Sequence, residues 1–134
     1  MIKRILWAAL PMGVVFIFDN LVSVPSGLYE WWWFDIFMHL LGGLVVAWSA
    51  NRFFKGEKSL SISPEWVYYL LIIGIVALVG IVWEVYEYFV QQITGSIIQP
   101  SIADTVADLV NDCLGALVFT TLSFWVKVRG KRRG

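Results

Sequence analysis

Residues 101–115, which read SIADTVADLVNDCLG, combine the apolar character of a membrane helix with three regularly spaced acids. Asp104, Asp108 and Asp112 follow one another at intervals of four residues, and Asn111 lies beside them. Residues four apart lie on the same face of an α-helix, so this spacing predicts a single acidic stripe. Because ionisable groups inside membrane helices are rare and usually functional, the stripe is the first candidate site.

The composition is that of an integral membrane protein. Of the 134 residues, 59% are apolar and only 15% are charged, which exceeds the apolar share of soluble domains. The length predicts one domain that covers residues 1–134. The single cysteine excludes an internal disulfide. We expect a lipid bilayer as the surroundings of this chain, and no nucleic-acid partner.

Four apolar stretches are each long enough to span about 30 Å of hydrocarbon, so we predict an all-α fold, a polytopic four-transmembrane-helix bundle. The predicted helices cover about residues 5–22, 31–53, 66–90 and 102–126. The second stretch opens with three tryptophans, which are typical of a membrane surface. Ser101, three residues before Asp104, predicts a capped start for the fourth helix.

The basic residues predict the orientation of the bundle. All ten Lys and Arg lie at the N-terminus, between the second and third helices, or at the C-terminus. In a protein with four crossings these three places share one side of the membrane. The positive-inside rule assigns that side to the cytoplasm. We therefore expect a multi-pass protein of the cell (inner) membrane with both termini cytoplasmic.

The ionisable residues of helices two, three and four all fall in the outer half of the membrane. They are Asp35, His39, Glu84, Glu87, Asp104, Asp108 and Asp112. An ionised acid near a helix centre costs about 2.5–3.5 kcal/mol, and no Lys or Arg lies within these apolar stretches. We interpret Asp19 as an interfacial residue outside this group. The remaining residues predict one outward-facing site whose charge is balanced by protons, a divalent cation or a cationic ligand.

A divalent metal ion fits this set of residues best. Carboxylates and one imidazole suit Mg²⁺, Mn²⁺, Ca²⁺, Fe²⁺ or Zn²⁺, and helix bundles build metal sites from acids spaced i, i+3 and i, i+4. The predicted metal ligands are His39, Glu84, Glu87, Asp104 and Asp108. We expect Asp35 to orient His39, and Asp112 and Asn111 either to support the ligands or to bind the ion themselves.

Three classes of function are compatible with such a site. The first is a metal-dependent hydrolase or transferase that acts on a lipid-linked or envelope substrate. The second is a proton- or cation-coupled transporter. The third is a non-catalytic module that binds lipids or cationic glycopeptides, with aromatic side chains forming a cage for a quaternary ammonium group. The structural alternative is a network of protonated acids that only ties helices together. Glycines that permit packing within or between chains leave the oligomeric state open.

Three motifs carry a family resemblance. They are Asp35-x-x-x-His39-x-x-Gly42, Trp83-Glu84-x-x-Glu87 and Asp104-x-x-x-Asp108-x-x-Asn111-x-x-x-Gly115. Together they resemble the YjdF-like inner-membrane proteins and, more distantly, the VanZ-like family associated with teicoplanin resistance. The resemblance covers helices two to four. It implies a polytopic membrane protein with a polar site at the outer face, and for the VanZ-like case an accessory role in resistance.

Overall fold

The computed structural model describes residues 2–55 and 62–131, and these residues form four long helices. The helices are α1 (Ile2–Phe18), α2 (Phe34–Lys55), α3 (Glu65–Thr94) and α4 (Ile102–Lys131). Each contains a stretch long and apolar enough to cross a membrane. The predicted all-α, four-helix membrane architecture is confirmed. Three of the basic residues that predict the orientation, Lys58, Arg132 and Arg133, lie outside the described residues.

Several helix ends differ from the predicted ones. The chain beyond α1 continues as a π-helical turn, Asp19–Ser23, and α2 begins at Phe34, after the three tryptophans. The helix α3 extends to Thr94 and ends at Gly95, whose φ of 73° is a left-handed conformation that glycine adopts without strain. The start of α4 is capped as expected, because the Asp104 N–H donates to Ser101 Oγ at 3.1 Å.

Contacts between the helices define two ends of the bundle. At one end, the Tyr86 hydroxyl of α3 donates to Asn20 Oδ1, next to α1, at 2.8 Å. At the other end, Tyr68 of α3 donates to Asn51 Oδ1 of α2 at 3.1 Å, and Lys127 of α4 pairs with Glu65 of α3. We name the first, which carries the connections 24–33 and 95–101, the loop end. The second, nearer the chain termini, is the terminal end.

The helix α2 is the centre of the bundle. In its most apolar window 39% of residues are buried, against 11% for α1, and α2 packs on all three other helices. The apolar core lies toward the terminal end and comprises Val46, Ala47, Ala50, Ile72, Val76 and Ala116. Many large apolar side chains outside this core are exposed, as expected for helices that face lipid. The half of the bundle nearer the loop end holds the buried ionisable residues instead, which are Asp19, His39, Glu84, Asp108 and Asp112.

The crossing of α2 and α4 is a contact between backbones. A Cβ atom on Gly43 of α2 would overlap the backbone of Asp112, and a Cβ atom on Gly115 of α4 would overlap the backbone of Leu40 and Leu44. Small residues allow membrane helices to approach this closely. The close approach matters for the site because it holds the acidic stripe of α4 against α2.

We expect Gly115→Ala to lower the free energy of unfolding by about 1–3 kcal/mol, because its methyl group must push two helix backbones apart. The matched control is Gly74→Ala on the exposed face of α3, where an added Cβ meets nothing within 4 Å. This control should not destabilise the protein. Thermal unfolding in detergent, followed by circular dichroism, measures both variants. Equal stability of the two would contradict the backbone contact.

Candidate functional site

His39 lies at the centre of the polar half of the bundle. Its side chain is only 7% exposed and faces three carboxylates. Its Nε2 atom lies 3.6 Å from Asp35 Oδ1 and 3.7 Å from Asp108 Oδ1, whereas its Nδ1 atom lies 3.4 Å from Asp112 Oδ1. The spacing of four residues in α4 thus places one acid on each side of the imidazole ring.

Asp35, His39 and Asp108 form a compact group that could hold a metal ion. One ligand atom from each residue lies within 4.8 Å of the other two. Oxygen and imidazole donors of this kind suit divalent cations of hard or borderline character. The sequence predicts Asp35 as the residue that orients His39, but in the structure Asp35 shares the Nε2 side with Asp108. Its side chain is 31% exposed, so the group is partly open.

Asp112 has the orienting position instead. It faces Nδ1, the nitrogen directed away from Asp35 and Asp108. Histidines that bind metals commonly donate their second N–H to a carboxylate, which fixes the ring and its tautomer. The carboxylate of Asp112 also packs on Gly80 of α3, where a Cβ atom would overlap it. Asp112 of α4 therefore contacts both α2 and α3. Asn111, its neighbour in the chain, is partly buried.

The other predicted ligands have different surroundings. Gln99 Nε2 donates to Glu84 Oε2 at 2.6 Å, and Trp83 Nε1 donates to Glu87 Oε1 at 2.8 Å. Asp104 is partly exposed in the first turn of α4. Among the residues that the structure describes, the group with metal-ligand spacing contains none of Glu84, Glu87 and Asp104. Glu84 Oε1 is buried and, within the described ranges, has no hydrogen-bond partner.

Asp19 and Tyr29 belong to the polar half, although the sequence assigns Asp19 to the interface. Asp19 is only 5% exposed and accepts a hydrogen bond from the Tyr29 hydroxyl. Burial, followed by this hydrogen bond, raises the pKa of the Tyr29 phenol, which therefore stays protonated and can donate. The pair was not predictable, because the bond joins residues on either side of an irregular turn. The only signal was an acid within an apolar run.

The aromatic residues at the loop end fall into two groups. Trp31 and Trp32 are 55% and 82% exposed, as in a belt at a membrane surface. The rings of Trp83 and Tyr86 pack on Phe16 of α1 at centroid distances of 5.7 and 5.8 Å. These contacts close α3 onto α1 at the loop end of the bundle.

A cavity of about 440 Å³ adjoins the histidine. It lies between α1, α2 and α3, and Asp112 of α4 reaches its wall. His39 and Asp112 contribute to its polar surface, together with Asp19 and Tyr29. Most of the remaining lining is apolar.

One family of proteins matches this chain. The family model described as "Predicted membrane protein (DUF2238)" matches residues 5–129. The chain belongs to the DUF2238 family. This is the YjdF-like family, so the resemblance that the three motifs carry is confirmed to that extent, whereas the VanZ-like resemblance stays a prediction. No curated protein and no solved structure matches the chain.

The DUF2238 chain separates the acids around His39 from its basic side chains along the bundle. The guanidinium groups of Arg52 and Arg129 lie over the rings of Trp48 and Trp125, in the segments of α2 and α4 nearest the terminal end. Lys127 pairs with Glu65 at the same end. The described lysines and arginines therefore do not neutralise Asp35 and Asp108. This separation leaves the site with more carboxyl groups than basic side chains.

In this DUF2238 protein we expect Tyr29→Phe to lower the free energy of unfolding by about 1–3 kcal/mol, because the buried Asp19 carboxylate loses its phenol donor. Tyr88→Phe is the control, since the Tyr88 side chain is half exposed on α3. Denaturant titration in detergent micelles measures both. A Tyr29→Phe protein as stable as the control would show that the hydrogen bond contributes nothing.

Proposed function

We propose that this DUF2238 protein binds one divalent metal ion within the membrane, through Asp35, His39 and Asp108. The observation that carries the proposal is the convergence of three ligand atoms within 4.8 Å around a buried histidine. The position of Asp112 on the opposite nitrogen adds support, because an oriented imidazole is what a metal ligand needs.

The charge of the group favours a dication. Asp35 and Asp108, together with a neutral imidazole, carry a charge of −2, which one divalent cation balances. Burying acids in a membrane without a compensating charge is costly, and the described basic side chains lie at the other end of the bundle. A bound dication would remove this cost.

Three protein ligands leave coordination positions free for water or a substrate, as in catalytic metal sites. We infer that the protein is a metal-dependent hydrolase or transferase, with a lipid-linked or envelope substrate. A bound metal ion would supply an activated water molecule, while Asp112 holds the imidazole in place. Asp35, partly exposed, lies on the side from which solvent reaches the group. Glu84 and Glu87 would line the approach and attract cations.

Transport is the weaker alternative. A transport pathway needs polar groups across the whole membrane, but toward the terminal end the helices meet in an apolar core. That core contains Ala47, Ile72 and Ala116, each completely buried. An ion that entered at the loop end would meet this apolar barrier. The arrangement therefore favours a site that is open to one side of the membrane.

We expect purified wild-type protein, loaded with Co²⁺ and freed of excess metal, to retain about one ion per chain, measured by elemental analysis. His39→Ala and Asp108→Asn should bind Co²⁺ at least ~10-fold more weakly, because each removes a donor from the group. The visible absorption of Co²⁺ reports directly on its ligands and should change in both variants.

The matched control for the metal experiment is Asp104→Asn, which removes an acid one helical turn from Asp108 while leaving the three ligands intact. It should bind Co²⁺ as the wild type does. Negligible Co²⁺ in the wild type, or equal binding in all four proteins, would exclude the proposed site. A loss in Asp104→Asn as well as in His39→Ala and Asp108→Asn would favour the broader ligand set that the sequence predicts.

We also propose that the loop end faces away from the cytoplasm of an inner membrane. Green fluorescent protein fused after residue 134 should then fluoresce, and alkaline phosphatase fused there should be inactive, because that enzyme needs an oxidising compartment for its disulfides. Fusions after residue 97, in the connection between α3 and α4, should give the reverse result. The same pattern at both positions would contradict the proposed orientation.

A further inference from the structure

The cavity beside His39 has the size of a ligand site. Its volume of about 440 Å³ falls within the range of roughly 300–1,000 Å³ that is usual for small-molecule pockets. Its lining runs from Ala9 of α1 to Asp19 just beyond that helix, which are ten residues apart, so it extends over about 15 Å. An apolar space of this size loses many packing contacts when nothing fills it.

The cavity separates α1 from α3. At the loop end these helices meet through Phe16, which packs on Trp83, and through the hydrogen bond from Tyr86 to Asn20. Closer to the terminal end, both helices line the cavity instead. Gly13 of α1 lines it, and a Cβ atom there would meet nothing within 4 Å. Helix α1 packs chiefly on α2 and makes few contacts with α3, so the boundary between α1 and α3 is where hydrocarbon from a bilayer could reach the cavity.

The two ends of the cavity differ in polarity. Near the loop end its wall includes the carboxylates of Asp19 and Asp112, together with His39. Farther along, side chains such as Met12, Val46 and Val79 make the wall apolar. The described lining contains no Lys or Arg. An occupant with an anionic phosphate would be repelled by the two acids, whereas a hydroxyl or amine could donate hydrogen bonds to them.

We infer that this cavity binds a long-chain alcohol or amine, which enters from the bilayer between α1 and α3. The hydrocarbon chain fills the apolar part, and the hydrogen-bond donor of the head group lies beside Asp19 and Asp112. The inference deepens the proposed function, because it names the substrate class that would reach His39. Only the reaction of that substrate rests on the proposed function. Binding of the chain itself requires no metal ion.

Photocrosslinking tests this inference directly. Three dodecyl probes, which carry a diazirine in the chain and end in a hydroxyl, an amine or a phosphate, are added to the purified protein in detergent. Labelled residues are then located by mass spectrometry. The alcohol and the amine should label the cavity wall, for example Met12 and Val79, in preference to the lipid-facing Leu78 and Val82. Comparing the two probes shows which donor the site prefers.

A pair of glycine variants provides the matched comparison. Gly13→Leu places a side chain in the cavity and should reduce labelling of its wall several-fold. Gly74→Leu adds the same side chain to α3 where a Cβ also meets nothing within 4 Å, but away from the cavity, and should label as the wild type does. Equal labelling of the two variants would overturn the inference.

Two further outcomes distinguish the metal site, the cavity and the head-group position. Asp108→Asn should keep its labelling even when Co²⁺ binding is lost, so failure of the metal site and failure of the cavity can be distinguished. Dodecyl phosphate that labels the wall as well as the alcohol and the amine do would overturn the assignment of the head group. If Gly13→Leu does not fold, the labelled positions in the wild-type protein test the inference on their own. Equal labelling of Leu78 and Met12 would then overturn it.

Discussion

The close crossing of α2 and α4 is the contact on which the polar half of this protein depends. Gly43 and Gly115 allow the two backbones to touch, and this contact fixes the depth and rotation of α4 relative to His39. Asp108 and Asp112, one helical turn apart, then lie on opposite sides of a single imidazole. A wider crossing would take both carboxylates out of range. The short distances between His39 and these carboxylates therefore depend on helix packing as well as on the positions of the acids in the sequence.

The two ends of the bundle differ in the polarity of their buried side chains. Toward the terminal end, apolar side chains close the centre and basic side chains lie near Trp48 and Trp125 or pair with Glu65. Toward the loop end, the buried side chains are largely acids, a histidine and their hydrogen-bond donors. The described basic side chains lie at the other end of the bundle, too far from these acids to pair with them. The same division leaves a cavity whose wall changes from apolar to acidic.

The sequence alone predicts much of this architecture. Hydropathy is enough for four membrane helices, and the four-residue spacing is enough for an acidic stripe near His39, because both depend on local periodicity. It does not predict the hydrogen bond from Gln99 to Glu84, because Gln99 lies in the connection between α3 and α4, whose path periodicity does not describe. Nor does it predict the bond from Trp83 to Glu87, which depends on the side-chain rotamers. Asp19 is missed for a similar reason. Its partner, Tyr29, follows an irregular turn that periodicity does not describe.

The packing of Asp112 on Gly80 has a mechanical consequence. Because the bare backbone of α3 is the surface against which this carboxylate rests, a change in the tilt of α3 displaces the carboxylate and, through it, the imidazole of His39. Membrane helices adjust their tilt when the hydrocarbon thickness changes. Bilayer thickness thereby becomes a variable that acts on the geometry around His39, and the lipid composition of the host membrane can shift that geometry without contacting Asp35, His39 or Asp108.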